Sequence, residues 1–266
     1  MDLGVSGKTA LIAGGSMGIG RKTAEILAAD GCAVAVVGLA DDPASIAAAV
    51  DAITGAGGKA IGIGADMTRK SEIQRAMAEC KAAFGSPDIL VANVNGPPPG
   101  YFEEVTDEQF EEAVRSMTMS LVYTLREAFP HMKEKGWGRV VNMNSIGAKE
   151  PTRFIGHTLV NTGRAAAVAL SKSLSDEYAP FGITVNSIGT GFIGTDRFMG
   201  YWNRLSEKTG APLDEVLKDV TASIPAGRIG RVEEIAGTIA FLCSDLGGYV
   251  NGEFINVDGG WHRSAW

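Results

Sequence analysis

Ala13-Gly14-Gly15-Ser16-Met17-Gly18-Ile19-Gly20 places glycines at a G-x-x-x-G-x-G spacing between a short apolar run and an amphipathic stretch. Glycine at such a junction lets the backbone turn sharply. It also removes the Cβ atoms that would hold a phosphate away from the N–H groups of a helix N-terminus. Gly14 suits the turn, Gly18 the close approach and Gly20 the packing of helix on strand. Directly after the first strand, this pattern points to a dinucleotide held by its pyrophosphate; a glycine-rich βα turn with no ligand is the competing reading. After the second apolar run, an acidic residue would bind a ribose diol and an Arg would favour a 2′-phosphate. The chain reads Gly38-Leu39-Ala40-Asp41-Asp42 there, without a cation. The expected cofactor is therefore NAD or NADP, with NAD preferred through Asp41 or Asp42, unless both only solvate the loop or cap the next helix.

The elements that must position this turn are legible as alternating short apolar runs and longer amphipathic ones. Strands are predicted over Thr9–Ala13, Ala33–Gly38, Ala60–Ala65, Ile89–Asn93, Arg139–Asn144, Thr184–Ile188 and Phe254–Val257. Helices are predicted over Ile19–Ala29, Ala44–Thr54, Lys70–Phe84, Glu108–Lys133, Asn161–Tyr178 and Val232–Cys243. Near-continuous apolar strands separated by helices imply a parallel sheet covered on both faces. Right-handed crossovers then give an α/β, Rossmann-type doubly wound sheet of about seven strands. No linker divides residues 1–266, so a single domain is expected. Residues 191–230 are the least regular and sit where such sheets carry a substrate lid.

Bulk properties narrow the function. With 266 residues, 45% hydrophobic, the chain can bury one substantial core. A net charge of −7 without a Lys/Arg run argues against nucleic acid and acidic membranes as partners. No apolar stretch approaches the roughly 18 residues of a membrane span. Met1-Asp2-Leu3-Gly4 has no basic or apolar leader character, so a cytoplasmic location is expected. Cys32, Cys80 and Cys243 lie too far apart for metal spacing and read as core filling; no metal site is expected. The 35 glycines, close to twice the usual share of about 7%, fit many tight strand-to-helix turns.

Beyond the turn, Asp66 in Ala65-Asp66-Met67 and Asn93-Val94 in Leu90-Val91-Ala92-Asn93-Val94 follow strand ends. Val185-Asn186-Ser187-Ile188-Gly189-Thr190-Gly191-Phe192-Ile193-Gly194-Thr195 and the tail from Ile224-Pro225-Ala226-Gly227-Arg228 to Asp258-Gly259-Gly260 add two more segments. Together with the turn, these resemble the short-chain dehydrogenase/reductase family over nearly the whole chain. The resemblance implies cofactor contacts from Gly14, Ser16, Met17, Gly18, Ile19, Gly20, Asp66, Met67, Asn93, Val94 and Arg164. Ile193 and Thr195 would address the nicotinamide carboxamide. It also implies a homotetramer with the long helices near 108–133 and 161–178 at an interface.

The family's usual chemistry uses Asn, Ser, Tyr and Lys: Tyr moves the hydroxyl proton, Lys lowers its pKa and binds ribose, and Ser holds the substrate oxygen. Gly138-Arg139-Val140-Val141-Asn142-Met143-Asn144-Ser145 puts Ser145 on the Ser position. Counting back from Glu177-Tyr178-Ala179-Pro180 puts Val160 on the Tyr position and Arg164 on the Lys position. Counting from Ser145 gives Thr158 and Thr162 instead, so neither register yields Y-x-x-x-K. Met117 falls on the Asn position. The chain is similar to a divergent branch that carries S-N-x-x-R-like sequences and a G-P-P-P-G loop, here Gly96-Pro97-Pro98-Pro99-Gly100. Arg164 can hold ribose hydroxyls and supply charge, yet with a pKa above roughly 12 it cannot shuttle a proton.

His157, which titrates near neutrality, is the remaining candidate acid; a capping histidine is the alternative. Thr158 and Tyr101 could touch substrate, and Lys149 and Arg153 could bind an anionic one or simply be solvated. Phe198, Met199, Tyr201 and Trp202 suggest an apolar or aromatic substrate, or ordinary helix core. The catalytic set expected is Ser145, Arg164 and His157, in an NAD(P)-dependent oxidoreductase acting on a small-molecule alcohol or carbonyl. The alternatives are a non-redox lyase, isomerase or hydrolase on the same fold, and a silent cofactor-binding subunit.

Overall fold

The computed structural model describes residues 2–151 and 156–265. β1 (Thr9–Ala13) leads into α1 (Gly18–Ala29), β2 (Ala33–Gly38), α2 (Pro43–Gly55), β3 (Lys59–Gly64) and α3 (Lys70–Phe84). β4 (Ile89–Ala92) is followed by α4 (Asp107–Val114), α5 (Ser120–Lys135), β5 (Gly138–Ser145), α6 (Thr158–Tyr178) and β6 (Ile183–Thr190). α7 (Asp196–Thr209), α8 (Leu213–Ser223), α9 (Val232–Cys243) and β7 (Phe254–Val257) complete the chain.

The seven strands of the described residues form one parallel sheet in the order β3-β2-β1-β4-β5-β6-β7. The order reverses between β1 and β4, and that switch point opens a crevice at the carboxyl ends of the strands. Alternate residues of each central strand feed opposite cores. Leu11, Ala13, Ala35 and Val37 pack with Ile73, Leu125 and Ala167 from α3, α5 and α6. Ala10, Ile12, Val34 and Val36 pack with Leu27 of α1 and with Ile235 and Ile239 of α9. Burying a side chain such as Leu11 contributes about 1.5–3 kcal/mol, so residues on both faces of β1 stabilise the sheet. This explains why β1 shows no polar alternation.

At the opposite end of the sheet, Asp88 is buried just before β4. It accepts from the Thr9 amide at 3.0 Å and from Lys135 Nζ at 2.7 Å, with His131 Nε2 at 3.0 Å. Burial pushes its pKa up, but Lys135, the Thr9 amide and His131 outweigh that and hold the carboxyl below its ordinary range. The three cysteines are buried and unpaired. Burial pushes the Cys32 and Cys80 thiols up to about 12, as expected of core residues.

The predicted strands agree with the observed ones to within a residue or two at each end. Two helical regions differ. The single helix expected over 108–133 runs continuously from Asp107 to Lys135, with a π-helical turn at Arg115–Met119 between α4 and α5 where Met117 is buried. Residues 191–230, expected to be irregular, contain two helices. The Thr195 hydroxyl accepts from the Phe198 amide and caps α7, and Gly210 ends it in a left-handed conformation. The aromatic stripe of that segment is largely core: Trp202 is buried with Phe192, Val220, Ile224 and Trp261, and Phe198 and Tyr201 pack against them. Among the described residues, no helix is long and apolar enough to cross a membrane.

Candidate active site

The glycine-rich turn stands at the crevice as its spacing requires. Gly14 has φ +62°, a left-handed conformation, and a Cβ on it would lie 2.6 Å from Asn93 Nδ2. A Cβ on Gly20 would lie 2.1 Å from the Gly14 carbonyl oxygen, so α1 packs directly on the turn only because residue 20 has no side chain. Met17 precedes α1 without a side-chain cap, and the first turn of α1 holds no acidic residue. The N-terminal amides of α1 are thus left for an external acceptor, in the positive field of the helix dipole. This chemistry fits a pyrophosphate.

A cleft of about 390 Å³ runs from this turn in both directions along the strand ends. Gly14, Ser16, Met17, Gly18 and Ile19 line its centre. Asp66, Met67, Leu39 and Asp42 line one end, past β2 and β3. Asn93, Val94, Arg164 and Thr195 line the other, with Asn95, Asn144 and Arg197. Two of the expected cofactor residues do not face the cleft. Gly20 lies beneath the turn as a packing position, and the Ile193 side chain turns inward, buried in the core shared with α9.

Arg164, on the first turns of α6, reaches across the sheet. Its Nη1 donates to the Met143 carbonyl at 2.7 Å and its Nη2 to the Val94 carbonyl at 3.4 Å. Its Nε is buried without a hydrogen-bond partner, as is Asn144 Nδ2. Burial, then the like charge of Arg197, pushes the guanidinium down to about 10. It therefore stays cationic at neutral pH, a fixed charge and not an acid.

Ser145 ends β5, and its Oγ accepts from the Gly147 amide at 3.1 Å. The hydroxyl hydrogen is left to donate elsewhere. Asn161 stands beside it: a Cβ on Gly147 would meet Asn161 Oδ1 at 2.3 Å and Ser145 Oγ at 3.4 Å. Val160 and Met117 come together next to the proline loop, since a Cβ on Gly96 would lie 3.0 Å from Met117 Cε and 3.3 Å from Val160 Cγ2. Those two positions are thus apolar, with Val160 half-buried and Met117 buried.

His157 immediately precedes α6 and makes no side-chain cap, and its backbone bridges to Gly100 at the end of the proline loop. Burial, Arg164 and then Arg197 lower its pKa below the ordinary histidine value, so the imidazole is neutral at pH 7. Tyr101 is 60% exposed, and its amide is taken by Glu104. Lys149 is exposed and Thr158 half-buried at the start of α6. Arg153 lies outside the described residues.

Several cleft residues carry no local signal in the sequence. Arg197, at the start of α7, donates from Nη1 to Asn95 Oδ1 at 2.6 Å and from Nη2 to the Gly96 carbonyl at 3.3 Å. It ties α7 to a loop about a hundred residues away, a contact that no spacing rule announces. Asn144 and Asn161 could have been found from their position beside Ser145 and Arg164.

The chain is similar to known proteins over nearly its whole length. The profile of the family described as enoyl-(acyl carrier protein) reductase matches residues 13–262. The short-chain reductase protein NovJ of Streptomyces niveus is 34% identical over 254 residues, covering 94% of this chain and 92% of its own. The 3-oxoacyl-[acyl-carrier-protein] reductase FabG of Haemophilus influenzae is 33% identical over 260 residues, covering 98% of this chain and 100% of its own. Among solved structures, L-sorbose reductase from Gluconobacter frateurii, complexed with NADPH and L-sorbose, superposes with a TM-score of 0.93 at 28% identity. That match covers 99% of this chain and 100% of the other.

Proposed function

This chain belongs to the short-chain dehydrogenase/reductase family, and from that premise we propose that it is a nicotinamide-dependent oxidoreductase of a small-molecule alcohol or carbonyl with an atypical catalytic set. The observation that carries the reading is the uncapped N-terminus of α1, opening through glycines into a cleft that ends at Arg164. Gly14, Ser16, Met17, Gly18 and Ile19 would hold the pyrophosphate, Asp66 and Met67 the adenine, and Asn93, Val94, Arg164 and Thr195 the nicotinamide half. When bound, the nicotinamide supplies or accepts a hydride.

NAD is favoured over NADP. The adenosine end of the cleft presents Asp42 and Asp66, and the only cations among the described lining residues are Arg164 and Arg197 at the far end. A 2′-phosphate would meet carboxylates and no counter-charge.

The protein's own groups divide the remaining work. Ser145 donates its hydroxyl hydrogen to the substrate oxygen, with its lone pair occupied by the Gly147 amide. Arg164 provides a fixed positive charge where negative charge develops on that oxygen. Its two backbone hydrogen bonds hold it in place, so no reorganisation is needed as the charge grows. Val160 and Met117 leave no phenol beside Ser145. His157, whose pKa is lowered by burial and by Arg164 and Arg197, is the remaining titratable group near this end of α6 that could exchange the proton with the product oxygen.

Titration of the purified protein with the four nicotinamide dinucleotides, followed by NAD(P)H fluorescence, tests this. Saturable binding with NADH ahead of NADPH is expected; no affinity for any of the four would sink it. The apolar pair Val160 and Met117 supports a second reading, a reaction without net redox change on the same fold. Turnover with no change in nicotinamide absorbance would favour that one.

A further inference from the structure

Two guanidinium groups face one end of the cleft in a chain whose net charge is −7. Arg164 is committed to backbone carbonyls, but Arg197 is exposed, and its hydrogen bonds to Asn95 and Gly96 use only two of its five N–H donors. Among the described residues, neither arginine forms an ion pair. The one acidic neighbour lining that end, Asp196, is exposed. Two unpaired like charges at one end of a cleft are unfavourable until an anion joins them.

The position of Arg197 decides which anion. Its Nη2 reaches the carbonyl of Gly96, the residue whose Cα packs against Val160 and Met117. The guanidinium therefore stands at the reacting end of the cleft, near enough to Arg164 and His157 for its charge to lower the pKa of both. The pyrophosphate belongs at the turn, so the anion beside Arg197 is a part of the substrate.

The geometry points to a substrate carboxylate, held by Arg197 in the field of Arg164, with the apolar body of the substrate toward Val160. This rests on the nicotinamide-dependent reading above and adds the substrate class: an oxo acid or hydroxy acid rather than a neutral ketone or sugar. A guanidinium fork matches the two oxygens of a carboxylate. The half-buried Val160 side chain suits an alkyl or aryl group next to it.

The test uses the NAD⁺-saturated protein and two ligands of the same shape, 3-phenylpropanoate and 3-phenylpropanamide, with binding followed by calorimetry. The carboxylate is expected to bind at least tenfold tighter than the amide. In Arg197→Gln that ratio should collapse to within about twofold, and in Arg197→Lys it should partly return. The affinity for NADH alone should stay within about twofold in both variants, as expected of a residue that does not touch the pyrophosphate. Equal binding of the two ligands, no carboxylate binding at millimolar concentration, or joint loss of NADH and carboxylate in Arg197→Gln would each overturn the inference. In those cases the nicotinamide reading stands, provided the unsubstituted protein binds NADH. Failure of that protein to bind any nicotinamide dinucleotide would overturn both.

Discussion

Substituting Gly20 by alanine is expected to separate the cradle from the fold that carries it. The new Cβ would lie 2.1 Å from the Gly14 oxygen and 2.8 Å from its carbonyl carbon, against an ordinary contact of 3.4 Å or more. Both atoms are backbone of the turn itself, so no side chain can rotate away. Overpacking of this kind costs about 1–3 kcal/mol, while replacing glycine in a helix returns about 1 kcal/mol. The net effect is thus a destabilisation of up to about 2 kcal/mol, which leaves the fold in place. The displacement, by contrast, falls on the atoms that must meet the pyrophosphate, and at least a tenfold weaker NADH affinity follows, about 1.4 kcal/mol.

Gly57→Ala is the control. Its φ is +87° with nothing within 4 Å of the new Cβ. The left-handed strain costs about 1–2 kcal/mol, and NADH binding should not change. Fluorescence titration beside thermal unfolding reads both quantities. NADH affinity in Gly20→Ala equal to that of the unsubstituted protein would refute the assignment of the turn.

Arg164→Met removes donors from the Met143 and Val94 carbonyls and the charge at the reacting end. It should lower turnover at least a hundredfold, measured under saturating cofactor, with Ser145→Ala lowering kcat by a comparable factor. Leu39→Arg, at the adenosine end of the cleft, should raise NADPH affinity about tenfold relative to NADH by supplying a missing counter-charge, read by fluorescence titration. His157 has a native pKa below its unfolded value, so the unfolded chain takes up a proton first as pH falls. Stability is then complete above about pH 6.5 and declines below it. His157→Gln should flatten thermal melts over that interval. Asp88 contributes stability above its unfolded value near pH 4 that is lost as pH falls through its lower native value. Asp88→Asn should cost about 1–3 kcal/mol at pH 7, because a neutral amide is a weaker buried acceptor for the Thr9 amide and Lys135, and urea unfolding measures it.

What could be read from residues alone follows from how local each determinant is. β1 and its turn were legible because strand periodicity, glycine spacing and the start of α1 all fall within twenty residues. α7 and α8 were not anticipated, although the Thr195 cap, Gly210 and the spacing of Phe198, Trp202 and Leu205 were present in the sequence. Their glycine- and proline-interrupted surroundings masked the period. The π turn at Arg115–Met119 had no such cue, since its extra residue is accommodated by packing of α4 and of the turn itself on α6. Ser145 and Arg164 could be placed from their flanking segments. Arg197 could not, because its partners Asn95 and Gly96 are distant in sequence and brought near only by the sheet.

The most direct measurement is deuterium transfer from 4,4-dideuterated NADH to product, followed by mass spectrometry over matched oxo acids and neutral ketones. One deuterium on the carbinol carbon of an oxo-acid product is predicted, with transfer lost in Ser145→Ala and Arg164→Met. Tight NADH binding with no deuterium in any product would contradict hydride chemistry at this site.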